Sequence, residues 1–263
     1  MRARETRIVA VIGPRDAGKT SLIAGIFGLF LDGPVGGWAF AGGGTLRAFE
    51  IACHDARAVS KRQAPHFERT PRGPAGLYQL TLSAGPGAPL VDLLVADRAG
   101  EEYLEVTDDA AASKDLPELP RADVITLLVD GTRLLDVGAR HNLQGDLALM
   151  IQAIHDGDAL AGGQRLAIAL TKHDEFDSSP QKERAEHDFD EFVAKTRSLF
   201  SASFSVIESF RLVASPDTDA TRRGSGVAGL LAFWMLPTAP AVVRMPARLA
   251  PARAFGRLPP SVG

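Results

Sequence analysis

The sequence predicts an α/β fold whose buried strands form a mostly parallel sheet. Three observations carry that prediction. Residues 8–12 form a short β-branched apolar run of the kind a buried parallel strand needs. The loop Gly13-Pro14-Arg15-Asp16-Ala17-Gly18-Lys19-Thr20 follows directly, and Leu22, Ile23, Ile26, Phe27 and Phe30 then recur at helical spacing. The loop matches G-x-x-x-x-G-K-[ST] at every specified position and sits in the strand–loop–helix context its mechanism requires. Gly13 and Gly18 permit the tight turn that aims backbone N–H groups at an anion, and the helix starting near Lys19 adds the positive end of its dipole. Lys19 is expected to face solvent until it meets the β- and γ-phosphates, and the Thr20 hydroxyl to coordinate Mg²⁺. Asp16, Ala17, Gly18 and Ser21 complete a nucleotide-phosphate site.

Composition narrows the class. A chain of 263 residues can form one large domain or two small ones and bury an ample core. Its 45% hydrophobic and 23% charged content is ordinary for a globular protein. A net charge of −3 gives no general drive towards nucleic acid, and none is expected as a partner. The single cysteine, Cys53, excludes an internal disulfide and a cysteine-based zinc site, and Cys53-His54 has no further ligands at suitable spacing. The longest apolar stretch, 22–31, is too short to cross a bilayer, and no signal peptide is expected because the first strand begins by Ile8. A cytoplasmic protein with no transmembrane segment is the expectation.

Taken in order, the chain loses its periodicity over 32–76. Gly33-Pro34, Gly36-Gly37 and Gly42-Gly43-Gly44 act as breakers, Pro65, Pro71 and Pro74 follow, and a helix over 45–59 interrupts them. Thr45 and Thr70 are the residues here that can contact a γ-phosphate. Residues 77–83 alternate as a strand should, Gly85-Pro86-Gly87 makes a hairpin-like turn, and 89–96 returns as a buried strand. That strand ends in Asp97-Arg98-Ala99-Gly100, where an acid is placed for a second Mg²⁺-directed carboxylate and Gly100 for a close N–H. Further strands are predicted over 122–129, 165–170 and 205–213, and helices over 142–154, 181–200 and 227–236. In the 181–200 helix, Phe189, Phe192, Val193 and Leu199 face inward. Thr171-Lys172-His173-Asp174 follows the strand at 165–170, so the Asp174 carboxylate can accept from guanine N1–H and the exocyclic amine, a pairing adenine cannot offer. Lys172 would lay its stem along the base with its ammonium in solvent, and Ala214-Ser215 is placed to offer N–H groups to guanine O6. From Pro237 the chain holds six prolines, four arginines and no acid, so the tail carries +4 and the rest −7. The expected organisation is a domain over 1–236 and a solvated tail over 237–263.

With these motifs in order, the chain resembles a Ras-like P-loop GTPase of the translation-factor-related (TRAFAC) class. Within it the chain is similar to the bacterial double-GTPase group, through Gly44-Thr45-Leu46, Phe49-Glu50 and the His54/Arg57 pair. The resemblance implies a sheet with helices on both faces, a long insertion in the switch I region, and a GTP/GDP switch with Mg²⁺ in a bacterial signalling or conflict system. Residue by residue, Gly13 to Thr20 match the P-loop, Thr70 (with Thr45 as fallback) switch I, Asp97 and Gly100 switch II, Thr171, Lys172 and Asp174 the guanine motif, and Ala214 and Ser215 the last motif. The implied metal ligands are Thr20, Thr70 and Asp97.

Glu101 departs from the glutamine that efficient members of the class place after the switch II glycine. An ionised carboxylate can only accept, and it faces a negative phosphate. Arg69, beside Thr70, is therefore the expected intramolecular arginine finger, with Arg72 and Arg98 as alternatives. The leading expectation is a regulatory GTPase, slow without an activating partner and acting on a protein effector. A GTP-dependent assembly module with negligible hydrolysis is the alternative, and an ATP-dependent enzyme is disfavoured by T-K-x-D.

Overall fold

The structure is a computed structural model that describes residues 4–45, 73, 75–213 and 224–237. The expected helix over 45–59 lies outside the described residues apart from Thr45, and so does the tail beyond Pro237. Seven strands form one sheet: β1 Glu5–Ile12, β2 Ala39–Gly42, β3 Gly76–Ser83, β4 Leu90–Asp97, β5 Val124–Asp130, β6 Arg165–Thr171 and β7 Val206–Arg211. Their order is β2-β3-β4-β1-β5-β6-β7. Pairing from β4 through β7 is parallel, and β2 and β3 add an antiparallel edge. The mostly parallel sheet expected from the sequence is present, with one strand more than the sequence indicated.

Alternation along the central strand divides the core. Val9 and Val11 of β1 face a cluster shared with α1 (Lys19–Asp32) and a C-terminal helix, Val227–Trp234. Ala10 and Ile12 face the opposite cluster, built on α2 (Gly100–Asp108), α4 (Arg140–Asp156) and α5 (Lys182–Phe200). A one-turn helix, α3 (Gly131–Leu135), follows β5, so the C-terminal helix is α6. Helices on both faces leave β1, β5 and β6 buried almost throughout, which their uninterrupted apolar runs require.

Two expectations are corrected. The 32–42 stretch contains β2, because Gly36 and Gly37 do more than break structure. Their φ of 57° and 84° form a two-residue turn that pairs Val35 with Trp38 and sends the chain back as an edge strand. Phe40 of β2 then packs edge-on against Phe27 of α1, with centroids 5.7 Å apart. Leu199 does not face inward: it is 62% exposed on α5, while Phe189, Phe192 and Val193 are buried as expected. At 3.6 residues per turn, the positions after Phe192 and Val193 that return to the core are Thr196 and then Phe200.

The two faces communicate with the sheet through polar groups as well. Trp234 of α6 is fully buried, and its indole N–H donates to Thr126 Oγ1 of β5 at 2.9 Å. Thr126→Val keeps the shape but strands that donor, so stability should fall by about 1–3 kcal/mol. Urea unfolding should show a lower midpoint at an unchanged slope; an unmoved midpoint would deny the bond any net contribution.

Candidate nucleotide-binding site

The C-terminal end of β1 sits between its parallel neighbours β4 and β5, whose following helices cover one face, and the chain turns there through residues 13–18 into α1 on the other. Gly13, Asp16 and Gly18 all have positive φ, at 151°, 62° and 88°. This sequence of left-handed residues curls the loop into a concave ring suited to an anion. A side chain at Gly13 would also meet Leu128 O at 3.1 Å, so the loop lies directly on β5. Ala17 is buried beneath the loop, Asp16 is exposed at its rim, and Ser21 is half-buried in the first turn of α1.

Lys19 differs from its expected pose. It is 7% exposed, and its ammonium donates to Gly13 O at 3.0 Å and Pro14 O at 2.9 Å. The tight turn points these carbonyls inward, within reach of a four-carbon stem folded back from the helix start. Burial pulls the ammonium below the ordinary lysine range, and the charges of Asp97, Glu101 and Asp16 oppose that pull. The ammonium is thus enclosed on the inner side of the loop rather than solvent-facing.

The β4 end meets the same loop. Asp97 is 2% exposed and accepts from Thr20 Oγ1 at 2.8 Å. Mg²⁺ commonly takes one or two protein oxygens and completes its shell with phosphate and water. The converging hydroxyl and carboxylate fit that demand, so Thr20 and Asp97 could hold the ion. Gly100 begins α2 against the loop: a Cβ there would lie 2.5 Å from Arg15 N, 2.6 Å from Pro14 C and 2.8 Å from Lys19 Nζ. Glu101, 33% exposed, faces Arg15 with Oε1 3.8 Å from Nε, and the same Nε is 3.4 Å from Asp16. Such an exposed pair contributes little stability. It nevertheless puts a guanidinium beside the carboxylate that sequence reasoning left facing a phosphate.

The predicted guanine motif reaches the loop from the other side. Thr171 is 4% exposed and shares its hydroxyl between Ala17 O at 3.0 Å and Val129 O at 3.2 Å. Lys172, with φ 54°, gives its ammonium to Asp130 at 3.0 Å while its side chain stays 37% exposed, so it is paired as well as solvated. Asp130 is buried and also caps α3 through Thr132 N and Oγ1. Asp174 lies half-buried in the 3-10 turn His173–Phe176. Behind that turn, His173 meets Glu186 at 2.6 Å, and Arg211 donates to Glu186 and Asp190 at 2.8 Å each. Burial works to raise the Glu186 carboxyl, but its hydrogen bonds from His173 and Arg211 outweigh that and hold it below the ordinary range.

Arg69, Thr70, Arg72, Ala214 and Ser215 lie outside the described residues. Thr45 exchanges hydrogen bonds with the backbone of Gln79, extending the edge pairing of β3. Arg98 is corrected as an alternative finger: it is 6% exposed and bound bidentately to Glu118, at 2.6 and 3.1 Å, so its charge is committed to the interior. Sequence reasoning missed Asp130, although it ends a buried strand just before Gly131-Thr132, much as Asp97 ends β4. It also missed Glu118, whose role depends on a contact 20 residues away. Among the described residues no helix is long and apolar enough to cross a membrane.

The profile of the family described as Double-GTPase 2 matches residues 7–235. No curated protein matches the sequence. Among solved structures, the chain is similar to Roco2 RocCORdC of Methanosarcina barkeri bound to GDP, at 15% identity and a TM-score of 0.44. That match covers 91% of this chain and 51% of the other, so this chain spans about half its length. It is also similar to the signal recognition particle receptor SRb-GTP/SRX complex of Chaetomium thermophilum, at 15% identity and a TM-score of 0.49, over 89% of this chain and 98% of that one.

The contact between α2 and the loop is tight enough to test. Gly100→Ala must displace the backbone at Pro14–Arg15 or the helix start, since neither neighbour is a flexible side-chain end. Overpacking of this kind costs about 1–3 kcal/mol. Thermal and urea unfolding should both report it, and a variant as stable as the parent would show that the two segments are not in firm contact.

Proposed function

Because the chain belongs to the Double-GTPase 2 family, we propose that it is a GTP-binding switch protein that hydrolyses GTP to GDP and phosphate. The observation that carries this reading is the hydrogen bond from Thr171 to Ala17 O, at 3.0 Å. It fastens the base-reading motif to the phosphate loop, so that Asp174 and Lys19 belong to one rigid cradle. In this reading the N–H groups of 13–20 receive the phosphates, and Lys19 exchanges its two loop carbonyls for the β- and γ-phosphates. Asp174 accepts from guanine, Ala214 and Ser215 approach its O6, and Lys172 flanks the base from its seat on Asp130. Thr20 and Asp97, with Thr70, would hold Mg²⁺, which neutralises phosphate charge when bound.

Hydrolysis needs positive charge near the terminal phosphate and an oriented water. The contacts of Gly100 and Glu101 with Arg15 and Lys19 support putting that work on this side of the loop. A carboxylate at Glu101 orients water poorly, so turnover is slow alone and is raised by Arg69 or by an activating protein. Switching would then serve a protein effector, in a cytoplasmic bacterial signalling or conflict system. Glu101 also favours a second reading, an assembly module that binds GTP and scarcely hydrolyses it. Phosphate release measured with and without candidate partners separates the two.

Base identity gives the direct test. Asp174→Asn removes the carboxylate that pairs with the two guanine donors, at a cost of about 2–4 kcal/mol. Titration calorimetry should show GTP affinity falling and xanthosine triphosphate affinity rising in the variant. An unchanged preference between the two would remove Asp174 from base recognition.

A further inference from the structure

The segment that carries Asp97 and Gly100 is also fastened to the chain that leads into β3. Arg98 Nη1 donates to Gly73 O at 2.7 Å and to Glu102 Oε1 at 3.1 Å, and Glu102 Oε1 accepts from Gly73 N at 3.3 Å. Both backbone hydrogen-bonding groups of one residue are therefore taken by an arginine–glutamate pair one helical turn apart. The other edge of the same guanidinium is bidentate on Glu118, where the Tyr103 hydroxyl donates as well, at 3.2 Å.

The two halves of this network differ in strength. Glu118 uses both oxygens and its side chain is 3% exposed. Glu102 is 17% exposed, and its Oε2 has no hydrogen-bond partner among the described residues. Gly73 has φ 128°, and a side chain there would meet nothing within 4 Å, so it is the backbone angle alone that calls for glycine. The Glu118 half is a fixed anchor and the Gly73 half a releasable clasp.

We infer that Arg98 and Glu102 are positioning residues that make the entry to β3 and the first turn of α2 respond together to the terminal phosphate of a bound nucleotide. Arg98 is the neighbour of Asp97, and Gly100 rests on Arg15 and Lys19, so a shift of that turn is transmitted to Gly73. β3 begins three residues later, paired antiparallel with β4 from Gly76 opposite Asp97. This inference rests on the nucleotide reading above, though not on the identity of the base.

Hydrogen exchange of the full chain, loaded with GDP or a non-hydrolysable GTP analogue, tests it. Glu102→Ala removes the acceptor shared by Gly73 N and Arg98 Nη1, Gly73→Ala strains the same clasp from its other side, and both leave the buried Arg98–Glu118 pair intact. In the parent, amides of 75–80 and 100–105 should both differ by at least about threefold in exchange between the two nucleotides. In each variant the 100–105 response should remain and the 75–80 response should vanish, with single-turnover hydrolysis reduced and analogue affinity within about threefold of the parent. A purely structural clasp would instead speed exchange equally in both nucleotide states. That result overturns the inference, as does a persistent 75–80 response in either variant or a parent that binds nucleotide with neither segment responding. A parent that fails to bind either nucleotide overturns the nucleotide reading itself, and this inference with it.

Discussion

The hydrogen bonds of β1 to parallel neighbours on both sides are the constraint from which the working edge follows. With β4 and β5 occupying its two edges and helices covering both faces, β1 has no polar surface left except at its end. The chain must turn at Gly13, and it does so in the crevice that the diverging connections leave open. Three of the polar groups in that crevice arrive on strand ends already fixed by sheet hydrogen bonds: Asp97 from β4, Asp130 from β5 and Thr171 from β6. The side chains therefore inherit their positions from backbone register rather than from one another.

Such an edge is assembled at an energetic cost. Asp16 holds a left-handed backbone angle that glycine adopts more easily, Lys19 keeps an ammonium largely out of water, and Arg98 and Glu118 bury a full ion pair. Burying charges of this kind rarely adds net stability, because desolvation consumes most of the attraction, yet removing one partner is severe. The apolar clusters on either side of the sheet must supply the surplus. The apolar runs of β1, β5 and α1, with the buried stripe of α5, do so.

The legibility of this molecule in its sequence follows the range of the interactions. Strand β1, the phosphate loop and α1 are contiguous and periodic, so they could be read directly. The strand at 165–170 was equally plain, since burial on both faces leaves an uninterrupted apolar run, and the one at 89–96 is broken only by Asp92. β2 was hidden because four residues between glycine pairs carry little periodicity, and its pairing partner β3 comes only at Gly76–Ser83. Lys19 illustrates a different limit: its residue type was informative, but its pose depends on where two carbonyls point. Glu118 and Asp130 were legible only as acids near prolines or glycines, because their partners come from elsewhere in the chain.

One buried feature far from the crevice bears on how the molecule would be held in an assembly. Arg165, the first residue of β6, donates to the carbonyls of Phe233, Trp234 and Leu236 at the end of α6, and Arg7 near the start of β1 also binds Leu236 O. The last turn of α6 is thereby riveted to the N-terminal ends of the strands, whereas the phosphate loop lies at their C-terminal ends. Six residue steps of β6 at about 3.3 Å each separate the two poles by about 20 Å. A pull applied at Pro237 would therefore load the pole opposite the crevice and leave the crevice undistorted.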